Sequence, residues 1–575
     1  MILSRNMARA VGLLLGGALL TTSGLVAAAS PVADAAMKGD NAAVRALLQK
    51  KADVNAAQAD GATAIQWAAY RNDLAMADAL IAAGADVKLA NHDGATALWL
   101  ASESGSAEMI GKLLAAGADA NERSPRGETP LMMSARSGNL KALNVLLDHK
   151  ADPAVKENLR GTTALMWASE QSHPEAVKLL IDRGADVNAA SAPDTRNSAL
   201  NLAPTIQERV QQEKLIEAFS SGKKIQLTPG GPLVGAEDFA SFYGQSGKKD
   251  GGGLTPLVFA AREGCLDCAR ILIDAGAAVN QKTFYGWTAL LTATQNRHYK
   301  VGEYLLAHGA DVNLANNGGW TPLYLATDNR DIETGDYPVR KPDMDHLDYI
   351  KLLLEKGAKV NARICGSAST AQECKGDTTE TRTNFTMQWL SEEGATPFLR
   401  AAQSGDATLM KLLLDHGADP KIATAHGVTA LATASGIGWV EGITFEWSPE
   451  QSAEAVKMCL DLGIDVNAAD DEGRTALHGA AHKGRVEVIK MLVDHGANLE
   501  AHDNGSRDTF AGAMKGMTWI PLDWARGLVR VGVQSAVPHP EAEKLLISLM
   551  TARGMKIPPP PGSSICLTKG VKGCE

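Results

Sequence analysis

The chain has 575 residues, of which 45% are hydrophobic and 5% aromatic, and its formal charge is −10. One hydrophobic core seldom grows past about 250 to 300 residues, so this length demands several domains or a repeat array, and the apolar content argues against a disordered chain. The acidic balance argues against nucleic acid as a partner, because phosphates require a basic face.

Residues 1–29 read as an export address. Arg5 and Arg9 precede an apolar run over 11–20, and Ala27, Ala28 and Ala29 then offer the small residues that signal peptidase requires, which predicts cleavage after Ala29. Loss of this segment, with its two arginines and no acid, makes the charge −12. The competing reading is an uncleaved anchor, since 11–29 nearly reaches spanning length, but Thr21, Thr22 and Ser23 interrupt it. No later apolar run has that length, so no membrane contact is expected after cleavage.

From residue 30 the sequence repeats itself. Thr63, Thr96, Thr129 and Thr163 each stand two residues after a Gly and are spaced by 33, 33 and 34 residues; Thr255, Thr288, Thr321, Thr396, Thr429 and Thr475 resume the series. Each Thr predicts a helix start, because its hydroxyl accepts a backbone N–H. Pro130, Pro256, Pro322 and Pro397 fit the next place, where no N–H is needed. A second helix with Leu pairs such as Leu113-Leu114 and Leu412-Leu413 follows. It ends at a Gly that permits a left-handed stop, as at Gly84, Gly117, Gly184, Gly309 and Gly417.

This pattern resembles the ankyrin repeat of an exported, bacterial-type protein, over residues 30 to about 553. The resemblance implies an all-α solenoid of about 12 helix-turn-helix units: ten clear ones, a first unit from Ser30, and a degenerate last unit around Pro521 and 541–550. The family's His after Thr-Pro-Leu survives only as His478. Gln66, Trp99, Met132, Met166, Val258, Leu291, Tyr324, Leu399 and Ala432 occupy its place elsewhere, so larger side chains are expected to replace its hydrogen bonds.

Counting against the period places four loop insertions, at 193–250, 331–345, 364–392 and 436–451. The first is the longest, with 59 extra residues between Thr163 and Thr255. It separates an N-terminal stack over 30–192 from a C-terminal stack over 251–557, and a Pro-rich, Cys-containing tail occupies 558–575. Ser198-Ala199-Leu200 and Lys214-Leu215-Ile216 within it leave open a decayed repeat or a plain helical excursion.

Export makes disulfides possible, and there are seven cysteines. Cys365 with Cys374, and Cys566 with Cys574, are predicted to close short loops that lack a core of their own. Cys459 replaces a core Leu and is expected as a buried free thiol. Cys265-Leu266-Asp267-Cys268 is the one redox-like motif; Ala269 excludes a haem attachment, and a thioredoxin-type site would need a strand-helix-strand setting. His478 and His482 share a helix at metal-compatible spacing, but the repeat accounts for His478, and His482 is expected at the surface, so neither metal nor cofactor is predicted.

No P-loop, nucleophile elbow or zinc-protease motif is present, so no catalytic residue is assigned. The resemblance implies that turn tips, the residue before each Thr, and the two residues after the paired alanines line a concave binding face. Mapped here, these positions hold Phe284, Tyr285, Trp287 and Trp320, with Gln295, Asn296, Asp328 and Asn329 on the helices. Grouped aromatics suit a hot spot for a protein partner, the alternative being that they pack under the neighbouring insertions. Trp67 and Trp167 are expected in the core. The leading expectation is a non-catalytic, protein-binding scaffold exported to the periplasm or the medium. The alternatives are a redox or enzyme-accessory role for Cys265 and Cys268 or an insertion, and a secreted effector.

Overall fold

The structure, a computed structural model, describes residues 30–193, 252–331, 341–365, 393–439, 445–504, 518–527 and 537–559. The expected signal segment, most of the first three insertions, residues 440–444 of the fourth and the tail beyond 559 lie outside the described residues, as do Cys374, Cys566 and Cys574.

The described residues form 24 helices and no strand, paired into twelve successive units. Units 1 to 4 are Pro31–Lys38 with Asn41–Gln49, Ala64–Tyr70 with Leu74–Ala82, Ala97–Ser104 with Ala107–Ala115, and Pro130–Ser137 with Leu140–Asp148. Units 5 to 8 are Ala164–Glu170 with Pro174–Asp182, Pro256–Glu263 with Leu266–Asp274, Ala289–Gln295 with Tyr299–Ala307, and Pro322–Arg330 with His346–Glu355. Units 9 to 12 are Pro397–Gln403 with Ala407–Asp415, Ala430–Ser435 with Pro449–Asp461, Ala476–His482 with Val486–Asp494, and Pro521–Ala525 with Pro540–Ala552.

The threonines start the first helices as their chemistry requires. Thr129 accepts from Met132 N at 3.3 Å and Thr321 from Tyr324 N at 3.2 Å, each with Pro at the first helical position. Gly184 stops a second helix at φ +92°, in the left-handed region that a side chain disfavours. Within each unit, residues such as Ile65, Ala68 and Ala69 are fully buried against Met76 and Leu80 of the second helix. First helices pack on first helices along the whole series, and second helices pack on second helices at the junctions other than that of units 8 and 9, so each unit contacts its neighbours.

Units 5 and 6 are neighbours despite the longest insertion. Their first helices pack together, Ser191 N donates to Leu254 O at 2.9 Å, and Leu254 N donates to Ser191 Oγ at 3.0 Å. The described units therefore form one row across this junction. A ladder of asparagines reinforces it: Asn188 Oδ1 accepts from Ala278 N at 2.7 Å and its amide donates to Gly276 O at 3.4 Å. Asn55, Asn121, Asn280, Asn313, Asn361 and Asn467 each bridge to the next turn in the same way.

The His position keeps part of its hydrogen bonding. His478 Nδ1 lies 3.0 Å from the Thr475 hydroxyl and its Nε2 lies 3.2 Å from Trp519 O. Gln66 does equivalent work in unit 2, accepting from Thr63 N at 2.7 Å and donating to Leu89 O and Ala95 O at 2.9 and 2.8 Å. Units 7 to 9 use apolar bulk instead: Leu291, Tyr324 and Leu399 belong to a second hydrophobic cluster with Trp320, Leu325, Ile364, Val428 and Ile437.

Candidate functional site: the inner face of the first-helix row

The residue after the His position, and the next two beyond the paired small residues, project from the first helices on the side away from the second helices. Their burial divides the array into two zones. In units 2 to 5 the inner face is largely open: Trp67, Leu100 and Trp167 are half-buried, Tyr70 is 65% exposed, and Glu103 and Arg136 stand exposed, whereas Met133 of unit 4 is buried. Trp67 and Tyr70 pack edge to face at 5.8 Å, which gives this zone an aromatic centre. Trp67 and Trp167 rest against the edge of the core rather than inside it, and their ring N–H groups donate to Gln58 and Thr162 at 2.7 and 2.8 Å.

In units 8 to 10 the same face is filled, and this corrects the expected hot spot. Trp320 is 0% exposed and packs edge to face on Tyr324 at 4.8 Å, while Trp287 lies half-buried against that cluster. Asp328 and Asn329 are 7% and 4% exposed; Asp328 is paired with Arg400 at 2.7 Å, and the Asn329 amide donates to Thr294 O at 2.6 Å. These three residues serve packing, because large side chains on neighbouring units occupy the space that a groove would need. Gln295 and Asn296 are half-exposed, with the Asn296 amide donating back to Thr292 O at 2.9 Å. Of the aromatics, Phe284 at 48% exposure and half-exposed Tyr285 stay accessible on the turn tip, with Phe284 lying over Gly253.

Charged groups join the filled zone from distant parts of the chain. Arg400 stands at the inner-face position that Trp67 holds in unit 2. Besides its pairing with Asp328, it donates to Ser404 Oγ at 2.8 Å and to Asp331 O at 2.5 Å. Arg330 pairs with Asp406 at 2.6 Å. Burial, reinforced by the Asp406 charge, pushes the Asp331 carboxyl well above the usual range, and Arg400 pulls only partly against it.

Residues 445–448, the described end of the fourth insertion, strap these units together. Trp447 donates its ring N–H to Asp331 Oδ1 at 2.8 Å and its backbone N–H to Ser404 O at 3.2 Å, and Arg330 lies 4.3 Å over its ring. Glu446 reaches the other way, to Lys483 at 2.9 Å and Arg485 at 2.8 Å in unit 11. Burial alone would raise the Glu446 carboxyl, but Lys483, the Ser452 hydroxyl and Arg485 outweigh it and hold it below the ordinary range.

His482, expected at the surface, instead lies half-buried between Trp439 and Trp524, with ring centroids at 6.1 and 5.6 Å. Burial pushes it and His478 down to about 4, which suits packing groups. Cys459 is free and buried, its thiol pushed up to about 12 by burial. Cys365 is disulfide-bonded, while Cys374, Cys566 and Cys574 lie outside the described residues. Cys265 and Cys268 are bonded to each other, with sulfurs 2.03 Å apart. Among the described residues no group of three or more His, Cys, Asp and Glu is placed to hold a metal, and no helix is long and apolar enough to cross a membrane.

Three family models match this architecture. Ankyrin repeats (3 copies) matches residues 32–124, 110–191, 239–316 and 285–364, Ankyrin repeat matches 393–425, and Ankyrin repeats (many copies) matches 451–493, together more than half of the chain. The chain belongs to the ankyrin-repeat family. Among similar proteins, ankyrin repeat and SOCS box protein 16 of Mus musculus is 28% identical over 212 residues, covering 35% of this chain and 45% of that one. A probable E3 ubiquitin-protein ligase, XBOS33, of Oryza sativa subsp. japonica is 31% identical over 176 residues, covering 27% and 30%. Palmitoyltransferase AKR1 of Lachancea kluyveri is 32% identical over 117 residues, covering 20% and 14%. The ankyrin array thus spans less than half the length of each of these relatives.

Proposed function

We propose that the protein is a non-catalytic scaffold that holds a protein partner against the open inner face of ankyrin units 2 to 5. The observation that carries this reading is the exposure of Tyr70, with Trp67 packed on it and Leu100 and Trp167 half-buried further along the same face, where units 8 to 10 bury the corresponding positions. Tyr and Trp bury large area at low entropic cost, and the flanking charges of Glu103 and Arg136 supply the polar rim that interfaces show. The address in residues 1–29 supports export to the periplasm or the medium, with cleavage after Ala29.

The test compares the mature chain with a Tyr70→Ala, Arg136→Ala double variant and a Phe284→Ala variant in affinity capture from the native exported fraction. A captured partner should slow amide exchange over 67–136 in the unsubstituted chain and be lost by the double variant alone. Loss by Phe284→Ala alone would move the site to the turn tips, and no protection over 67–136 would overturn the inner face as the site. The N-terminal residue of the exported protein, read by mass, tests the cleavage.

A further inference from the structure

We propose that the Cys265–Cys268 disulfide is a reversible two-electron redox site that exchanges with small thiols through Cys265. Cys265 caps the second helix of unit 6 and Cys268 lies in its first turn, only three residues on. Such a link closes the shortest of loops and removes little freedom from the unfolded chain, so it is poorly suited to be a structural staple. The helix it sits in is already held by burial of Ala269 and Leu272 and by its neighbours.

The two sulfurs differ in access. Cys265 is the half-buried N-cap, at the position where other units place Asp40, Asp73, Ser106 or Asn139, whereas Cys268 is fully buried in the core. An incoming thiol therefore reaches Cys265. The local field favours the Cys265 thiolate that the second exchange step releases: the N–H of Cys268 points at Cys265 Sγ over 3.2 Å, at the positive end of a nine-residue helix. Of the nearby acids, Asp267 pairs with Arg270 at 3.2 Å, and Glu263 shares Arg262 with Glu170 at 2.8 and 2.6 Å, while the His298 ring packs against Gly264. Reduction leaves the cap in place, because a Cys265 thiolate still accepts the same N–H. The switch thus needs no unfolding.

The chemistry closes with small thiols as the reductant. A thiolate attacks Cys265 Sγ, the bond to Cys268 breaks, and Cys268 leaves as a thiolate that takes a proton. A second thiolate attacks the small-molecule sulfur of the mixed disulfide, releasing Cys265 and one oxidised thiol pair. Two electrons pass from the thiols to the protein, and the reverse sequence returns them to an oxidised thiol.

The test incubates the full mature chain in mixtures of reduced and oxidised glutathione, quenches with an alkylating agent, and maps the label by peptide while far-UV circular dichroism follows the fold. Cys265 and Cys268 should become labelled in reducing mixtures with the helix signal unchanged, and return to the unlabelled state in oxidising ones. In the presence of oxidised glutathione, a Cys268→Ser variant should carry one adduct on Cys265, and a Cys265→Ser variant none on Cys268. A bond that survives until the fold is lost, or adducts that favour Cys268, would overturn the site.

Discussion

Glu122 shows how one buried carboxyl couples the array to pH. Burial, with a smaller push from Asp119, raises it from 4.5 to about 7, although the Thr96 hydroxyl and the Trp99 backbone N–H pull the other way. The folded chain then holds a proton that the unfolded chain gives up, so its contribution to stability is complete below pH 4.5 and is lost as pH rises through about 7. For this partly exposed group the loss is about 1 to 2 kcal/mol. Burial of His478 and His482 works in the opposite direction over this window, so the test is the difference: between pH 5 and pH 8 the urea midpoint of the unsubstituted chain should fall relative to that of Glu122→Gln, and parallel pH profiles in both would overturn the role of Glu122. The value of this residue was not legible in the sequence, because its environment is set by Thr96 and Trp99 of the same unit's first helix.

At the scale of elements, the strap is the main addition to the repeat. Trp447 holds it by a hydrogen bond to Asp331 and by the Arg330 guanidinium over its ring, and both are lost in Trp447→Ala. The expected cost is about 2 kcal/mol, from a partly buried hydrogen bond and a cation–π contact, and Trp447→Phe should keep part of the second. Hydrogen exchange should report the change as faster opening at Trp447 and Ser452, whose backbone N–H groups bond to Ser404 O and Ser448 O. Unchanged exchange at both in Trp447→Ala would show that Glu446, tied to Lys483 and Arg485, holds the strap unaided. Counting residues against the period located this insertion between the two helices of unit 10. Its destination was invisible to counting, since Asp331 lies 116 residues away.

At the scale of the whole molecule, stability in a stack of this kind is a sum of unit terms and neighbour interfaces, so the weakest junction decides whether it unfolds as one body. Asn188 spans the junction interrupted by the longest insertion, and Asn188→Ala removes its two bonds to unit 6 at a cost of about 1 to 2 kcal/mol. Its denaturation curve should broaden or separate into two steps, whereas Asn55→Ala, near the N-terminal end of the array, should shift only a small early part of the transition. A single sharp transition in Asn188→Ala would place the cohesion of units 5 and 6 in their packed first helices alone. The asparagine ladder itself was there to be read, two residues after the Asp at Asp186 and Asp311 among others, but its role as a cross-unit clamp depends on the turns being stacked.

The periodic threonines, prolines and glycines by themselves determined the helix starts, the stops and the number of units, because capping and left-handed stops are decided within a few residues of chain. The same reasoning found Cys459 in the core, since its position in a second helix is fixed by the period. Only the tertiary structure decided which part of the inner face is open. Trp67 and Trp320 are both aromatic at positions that can face a groove, yet Trp67 stays half-exposed and Trp320 is fully enclosed. The difference comes from what the adjoining units place beside them, Tyr324, Leu399 and Val428 in one case and an unfilled face in the other, and burial by a neighbour is a property of the stack rather than of the repeat.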